Sequence, residues 1–499
     1  MAPLKKILNV AQIRATDKYT MDNAPIASID LMEQAALAFV KAFEKHSNAS
    51  KKIIIVCGVG NNGGDGLAVS RLLRQKGMDV HVMLVKFKET LSADCKINKN
   101  RLKEVEELTV TDTVPDFAAY DIIIDALFGS GLNNPVKGFP AAVIAAINKA
   151  EKTVFSIDVP SGLPCDAIST SKSIVNNSHV ISFQRPKLAF FFPEHRAYIR
   201  DWEVVDIGLD EAFIQAQKSN YFLLDESVAK IVKIRAKQSH KGTYGHALLL
   251  AGSHGKMGAA VLSTKACLRS GVGLLTTCVP KCGYNILQIA APEAMCLTDE
   301  NAHFLTELPT LSNYDVVGAG PGIGKDKLTV KMLQSLLEKS TQPLVLDADA
   351  INIISANQKL LALLPKRSVL TPHVKEFDRL VGPSKNTLER HEKQGSFSKK
   401  HQCIIVLKDA YTCISSTTGE FYINTSGNQG MATGGSGDAL TGVITGLIAQ
   451  HYDLLNAAIV GVYFHGKAGD KGAEKKGYNA LLASDIVENL RIQPYGYTH

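Results

Sequence analysis

Short apolar runs alternate with amphipathic stretches along the chain. "KKIIIVCG" (51–58), "DVHVMLVKF" (79–87), "YDIIIDALFG" (120–129) and "KTVFSIDVPSG" (152–162) are rich in β-branched residues. Near-continuous apolar runs of this length fit strands covered on both faces. "GLAVSRLLRQKG" (66–77) and "AAVIAAINKA" (141–150) carry apolar residues at helical spacing, and further helices are expected near 11–46. Alternating strands and helices predict right-handed βαβ units and a parallel sheet. The pattern loosens between 209 and 235, where a domain boundary is expected. That stretch is not rich in Pro or Gly, so the connection should be structured. A second series then begins. "GHALLLAGS" (245–253), "LLTTCVP" (274–280), "DVVGAGPG" (315–322), "PLVLDADA" (343–350), "RSVLTPH" (367–373) and "CIIVLKDAYTCISS" (403–416) read as strands. "AAVLSTKACLRSG" (259–271) reads as a helix, and "GGSGDALTGVITGLIAQ" (434–450) as a glycine turn entering one. The two series show no internal repeat, so two different α/β domains are expected.

Composition narrows the function classes. The 499 residues are 45% hydrophobic and 21% charged, ordinary for globular domains. No apolar run is long enough for a membrane span, and the N-terminus lacks the apolar core of a signal peptide. The net charge of +7 is spread along the chain without a dense basic run interleaved with aromatics. Nucleic acid is therefore not expected as a partner, whereas an anionic small molecule suits such a surface. None of the nine cysteines forms a C-x-x-C pair, and Cys278 and Cys282 stand alone in a strand-to-loop region. A zinc or disulfide framework is not expected, and a reducing cytoplasm is the natural compartment.

Chemistry concentrates at the strand ends. In "VCGVGNNGGDG" (56–66), Gly58, Gly60 and Gly63 fit the dinucleotide fingerprint G-x-G-x-x-G. The acid that should end the next strand is missing, and Lys86 and Lys88 stand there instead. The turn nevertheless offers N–H groups to a phosphate at the start of helix 66–77. Gly63, Gly64 and Gly66 would let an anion approach the main chain. Asn61, Asn62 and Asp65 add oxygen atoms of the kind that suits a hard cation. Asp125, Asp158 and Ser161 follow other strands of the same half, so three strand ends deliver polar groups to one rim.

In the second half, "GNQGMATGGSGDALTG" (427–442) places Gly434, Gly435 and Gly437 at the mouth of a helix, with Asp438 in its first turn. Helix N–H groups beside a carboxylate suit phosphoryl transfer, giving a cradle for developing charge and a base for a hydroxyl. "GAGPGIG" (318–324) reads as a backbone loop lining a pocket, "LDADAINI" (346–353) ends a strand with two acids, His373 ends another, and Lys408 is placed to meet a phosphate. No G-x-x-x-x-G-K-[ST] is present, so this is not a P-loop protein.

The motifs "NNGGDG", "DALFGSGL", "DVPSG" and "VVDIGL" resemble the NAD(P)H-hydrate epimerases over about residues 5–210. "HKGTYGHALLLAGSHGKMGAA", "APEAM", "GAGPGIG", "LDADAIN", "TPH" and "GGSGD" resemble the ADP- or ATP-dependent NAD(P)H-hydrate dehydratases of the ribokinase-like superfamily, over about 225–490. Together they resemble the fused bacterial repair enzymes. The resemblance implies a three-layer Rossmann-like αβα domain at 1–215 and a ribokinase-like α/β domain at 225–495. It implies that Asn61, Asn62, Gly63, Gly64 and Asp65, with Gly129, Ser130, Gly131, Leu132, Asn133, Asn134 and Pro135, bind NADHX or NADPHX. Asn62, Asp125 and Ser161 would hold potassium. Asp158 would contact the substrate, and a general acid–base role is expected for it. In the second domain, Ala259, Gly322, His373 and Asp438 would meet the hydrate. Lys408, Asp409, Ala410, Tyr411, Thr412, Gly434, Gly435 and Gly437 would meet ADP or ATP carrying magnesium. Asp438 would be the catalytic base. A homo-oligomer without membrane or nucleic-acid partners is implied. The chain departs from the family at Val180, where threonine is usual, at Val374 and Lys375 (Pro and Gly), and at Asp409 (Gly). Two alternatives remain open at this point: a vitamin-alcohol kinase of the ribokinase-like class, and a non-catalytic nucleotide sensor.

Overall fold

A computed structural model of the chain describes residues 4–494 except 25, 49 and 133, together with residue 496. The chain divides into two compact units. One comprises Lys6–Ser219 with Asn386–Leu388, and the other comprises Asn220–Lys385, Glu389 onward, and Leu4 and Lys5. Leu4 is buried in the second unit's core beside Leu224 and Val228. The two-residue strand β1 is Lys5–Lys6.

The first unit is built on seven parallel strands: β2 (Lys52–Cys57), β3 (Asp79–Lys86), β4 (Glu106–Thr109), β5 (Ile122–Ala126), β6 (Thr153–Ile157), β7 (Ser178–Phe183) and β8 (Ile199–Val205). Their order is β4-β3-β2-β5-β6-β7-β8. The connection runs outward from β2 to one side and then jumps to β5 on the other. That reversal opens a crevice at the carboxyl ends, where ligands bind in open α/β sheets. The continuous apolar run in β2 is explained by its two covered faces. Ile53, Ile55 and Cys57 pack with Phe39, Leu67 and Leu73, while Ile54 and Val56 pack with Val143, Ile144 and Ile147.

The helix expected at 66–77 instead starts at Asn61 and runs to Gln75, with Gly60 as its N-cap. The glycines of "NNGGDG" thus lie inside the helix, and their reason differs from the expected anion approach. A Cβ on Gly63 would fall 1.7 Å from the Gly58 carbonyl oxygen, and one on Gly66 would fall 2.6 Å from the Ala126 Cβ. These glycines let the helix lie directly on the strand ends, which brings Asn62 and Asp65 over the crevice.

The second unit carries eleven strands: β1, β9 (Tyr221–Leu224), β10 (His246–Leu250), β11 (Leu274–Pro280), β12 (Met295–Asp299), β13 (Val316–Ala319), β14 (Leu344–Leu346), β15 (Ser368–Leu370), β16 (Ile404–Leu407), β17 (Cys413–Ser415) and β18 (Phe421–Asn424). They are ordered β1-β9-β18-β17-β16-β15-β14-β13-β10-β11-β12. The stretch from β12 to β16 is parallel, and β17 runs antiparallel to both β16 and β18. The run 403–416 is therefore two strands around a turn at 408–412, not one. Ala247 and Leu249 of β10 face Val443 and Leu447 of the helix Ser436–Ala449, and Leu248 and Leu250 face Leu333 and Leu336 of the helix Lys327–Lys339. Both sheets are thus covered by helices on both faces.

The close contact at Gly63 gives a direct test. Gly63→Ala forces its methyl into a backbone carbonyl and should destabilise the first unit by about 1–3 kcal/mol or more, measured as a lower denaturation midpoint.

Candidate active sites

A cavity of about 820 Å³ lies over the carboxyl ends of β2, β5 and β6. Asn61, Asn62, Asp65, Gly129, Ser130, Gly131, Leu132, Asn134, Pro135 and Asp158 line it. Gly63 and Gly64 are buried in the helix and do not line it. Asn133 lies outside the described residues. Arg14, Lys88 and Lys137 also line the cavity, giving it cationic groups for a phosphate-bearing ligand. Of the two lysines noted near the end of β3, only Lys88 takes part; Lys86 is paired with Glu107 at 3.0 Å.

Asp125 is fully buried beneath this cavity. Ser161 donates to it through Oγ at 2.5 Å and N–H at 2.8 Å, and the Ser156 hydroxyl donates at 2.9 Å. Burial pushes the Asp125 carboxyl up, and these hydrogen bonds oppose the shift. Asn62 donates through Nδ2 to the Ile157 carbonyl at 2.9 Å, which leaves its buried Oδ1 without a partner. A buried carboxylate, a hydroxyl and an orphaned amide oxygen form an all-oxygen set. Such a set fits a hard cation like the potassium implied by the resemblance.

Asp158 leaves β6 with φ +68, a left-handed backbone that costs a non-glycine residue about 1 kcal/mol or more. The conformation is held by its N–H bond to Ile181 O at 2.9 Å. Its Oδ1 is ringed by donors: Lys187 Nζ at 2.7 Å, Phe183 N–H at 3.1 Å and Ser182 Oγ at 3.2 Å. Lys187 is 1% exposed and also donates to the carbonyls of Phe183 and Arg185. Sequence reasoning missed Lys187; the available signal was one lysine immediately before the apolar run "LAFFF". Val180, where the family carries threonine, is simply buried, and Ser182 supplies the hydroxyl beside Asp158. Asp17, on the helix Val10–Asn23, was missed as well. It lines the cavity, and burial, then the charge of Asp158, push its carboxyl up to about 6 against the pull of Lys187.

In the second unit the polar groups also gather at strand ends. Gly435 takes φ +93 and caps the helix Ser436–Ala449, whose first turn holds Gly437 and Asp438. Asp347, just beyond β14, is 1% exposed. It accepts from Lys408 Nζ at 2.8 Å and Thr441 Oγ1 at 2.7 Å, tying the end of β16 to that helix. Lys408 is thus also half of an ion pair. A Cβ on Gly437 would come within 3.1 Å of its Nζ, so the ammonium lies against the helix mouth. Burial, then the charge of Asp347, raise the Asp438 carboxyl to about 6, while Lys408 opposes. Ala259 and Gly322 adjoin each other: a Cβ on Gly322 would lie 3.1 Å from that of Ala259. Asp349 steadies the same loop by accepting from Gly324 N–H at 2.9 Å and pairing with Lys256 at 3.1 Å. His373 caps the helix Val374–Val381 through a reciprocal bond with Glu376, and it bridges to Lys408 through the backbone. Asp409, Ala410, Tyr411 and Thr412 form the turn before β17, where Asp409 accepts from Ala410 N–H.

Two family descriptions match the chain: "YjeF-related protein N-terminus" over residues 28–189 and "NAD(P)H-hydrate dehydratase" over 247–491. The bifunctional NAD(P)H-hydrate repair enzyme of Moorella thermoacetica is 35% identical, covering 97% of this chain and 96% of its own. The chain belongs to the bifunctional NAD(P)H-hydrate repair enzyme family. The Coxiella burnetii member is also 35% identical, with 96% and 98% covered. A solved ADP/ATP-dependent NAD(P)H-hydrate dehydratase from Bacillus subtilis, co-crystallised with ATP and magnesium, is 31% identical over 53% of this chain and 94% of its own, with a TM-score of 0.47. The first of these family matches falls in the first α/β unit and the second falls in the second.

Behind the helix mouth, His465 is buried and its Nε2 lies 3.0 Å from the Ser436 carbonyl. Burial depresses its pKa to about 4 from 6.5. The unfolded chain therefore binds this proton more readily between those values, and stability should fall as pH drops from about 6.5 to about 4. Melting curves across that window should show the loss, and His465→Gln, which keeps a donor for Ser436, should flatten this part of the dependence.

Proposed function

We propose that the first unit interconverts the R and S forms of NADHX and NADPHX, and that the second dehydrates the S form using ADP or ATP. The observation that carries this reading is one chain with two separate carboxylate-centred sites. Asp158 stands at a switch-point cavity lined by cationic groups, and Asp438 stands at a helix mouth beside Lys408.

At the first site Arg14, Lys88 and Lys137 hold the phosphates of the hydrate, and the free oxygen of Asp158 meets its ring. Asn62, Asp125 and Ser161 hold potassium, whose positive charge, when bound, steadies the anionic floor of the cavity. At the second site Ala259, Gly322 and His373 orient the hydrate. Asp438 takes the proton of its hydroxyl, which attacks the terminal phosphoryl group of the nucleotide. The N–H groups at the start of the helix Ser436–Ala449, with Lys408, stabilise the charge on the transferring group. The phosphate ester then leaves by elimination and NAD(P)H is restored. Magnesium, when bound with the nucleotide, neutralises charge between its phosphates. Hydroxide is a poor leaving group and phosphate a good one, which is why the step consumes a nucleotide. The relatives that cover the chain nearly end to end are repair enzymes, so the vitamin-alcohol kinase is set aside. Among the described residues no helix is long and apolar enough to cross a membrane, and the nine cysteines are free. The free thiols support a reducing, cytoplasmic setting.

A mixture of both NADHX epimers should convert fully to NADH with ADP or ATP, and the faster nucleotide identifies the donor. Asp438→Asn should lower nucleotide-dependent kcat by about 100- to 10,000-fold. Because Asp438 must be ionised to act as base, the wild-type dehydration rate should rise with pH through about 6 and then level off. A stable phosphorylated product in place of NADH would reject the dehydratase assignment. Replacing potassium by lithium should slow epimerisation without slowing dehydration of the S form; equal rates in both salts would remove potassium from the first site.

A further inference from the structure

Inverting a carbon that bears a hydroxyl group requires proton traffic on both faces of the ring. The hydroxyl leaves as water from one face, and a new water must lose a proton on the other. Asp158 is poorly suited to that traffic. One of its oxygens is already ringed by Lys187, Phe183 and Ser182, and a buried ammonium fixes its place. Two other carboxyls line the same cavity, Asp17 from the helix Val10–Asn23 and Asp65 from the helix Asn61–Gln75. Among the described residues, neither has a hydrogen-bond or ion-pair partner. Asp17 stands one turn after Ile13 and Arg14 on the helix face that lines the cavity, so it is directed at a ligand there.

We propose that Asp17 and Asp65 are the two proton carriers of the epimerase, one serving the hydroxyl that leaves and the other the water that arrives, with Asp158 as the fixed anion beside the cation they create. The assignment rests on the epimerase reading above. In one direction, the Asp65 carboxyl gives its proton to the substrate hydroxyl. The C–O bond breaks with its electron pair, and water departs. The ring-nitrogen lone pair moves into the vacated position and leaves a cationic C=N unit, which the Asp158–Lys187 pair faces with a carboxylate oxygen. Water then adds to the opposite face, the C=N pair returns to nitrogen, and the surplus proton goes to the Asp17 carboxylate. One water leaves and one is added, and nothing is oxidised or reduced. In the reverse direction Asp17 gives and Asp65 receives.

The charges around the two acids support this division. Burial and the charges of Asp158, Asp17 and Asp94 push Asp65 well above the usual carboxyl range. Asp17 lies among Asp65, Asp158, Lys187, Arg14, Lys88 and Lys137, and its carboxyl is raised only to about 6. Both acids are thus held above the ordinary carboxyl range while Asp158 beside them is fixed by Lys187, and a proton carrier requires such a raised proton affinity.

The full-length protein, with R-enriched NADHX and no nucleotide in water labelled with heavy oxygen, separates the possibilities. Wild type should incorporate one solvent oxygen for each inversion, and its kcat should fall as pH drops through about 6, where Asp17 becomes protonated. Asp17→Asn should lower kcat for inversion at least about 100-fold with little change in KM. It should also raise the ratio of oxygen exchange to inversion, because Asp65 can still expel and return water on one face. Nucleotide-dependent NADH formation from the S epimer, a property of the other unit, reports that the chain is folded. Inversion within about threefold of wild type in Asp17→Asn, or exchange and inversion slowed in equal proportion, would overturn the assignment to Asp17. Loss of inversion in wild type itself, with NADH formation intact, would instead overturn the epimerase reading.

Discussion

A fully buried ammonium needs an acceptor for each of its protons, because an unpaired charge in the interior costs several kcal/mol. Lys187 finds three, in Asp158 and in the carbonyls of Phe183 and Arg185. Satisfying them ties the end of β6 to the end of β7, and the strained backbone at Asp158 persists because its surroundings fix it from several sides. Removing Lys187 would leave the Asp158 carboxylate with neutral donors only, the Phe183 N–H and the Ser182 hydroxyl, and no cation to balance its charge. The geometry of the first site follows from that one pair.

The second unit uses the same arrangement in a different fold. A buried Asp347 and a half-buried Lys408 form a pair at the ends of β14 and β16, and Asp438 nearby is raised to about 6. In the first unit Asp158 and Lys187 form the pair, and Asp17 is raised to about 6. In both places a lysine anchors one carboxylate, and the field of that carboxylate loosens the proton equilibrium of another. Burial alone would raise an acid without placing it, while a hydrogen-bonded acid would be placed but unable to trade protons. Separating the fixed charge from the mobile proton meets both needs.

Much of this was legible in the sequence because parallel sheets impose it. Apolar runs marked the strands buried on both faces, and the polar residues at their ends marked the rims. Asn62, Asp125, Asp158 and Asp438 could be picked out on those grounds. What escaped was contact that local pattern does not encode. The glycines of "NNGGDG" looked like an anion-binding loop, yet Gly63 and Gly66 serve the close approach of a helix to β2 and β5. That approach depends on β5, some sixty residues away in sequence. Lys187 and Asp17 were hidden for a similar reason: each joins the site from an element that carries no motif. The pairing of Lys408 with Asp347 was hidden as well, because Asp347 lies 61 residues earlier.

The pairing of two activities on one chain follows from their energetics. Inverting one hydroxyl-bearing carbon is nearly thermoneutral, so an epimerase alone only equilibrates the two forms. The dehydration step consumes a phosphoanhydride and is effectively one-way, but it draws on one form. Coupled through a shared pool, the one-way step drains its epimer and the equilibrating step refills it, so both forms are cleared without any device to recognise the other. This requires only that the first site turn over at least as fast as the second, which needs no contact between the sites. A fixed one-to-one ratio, guaranteed by a single chain, is then sufficient reason for the fusion.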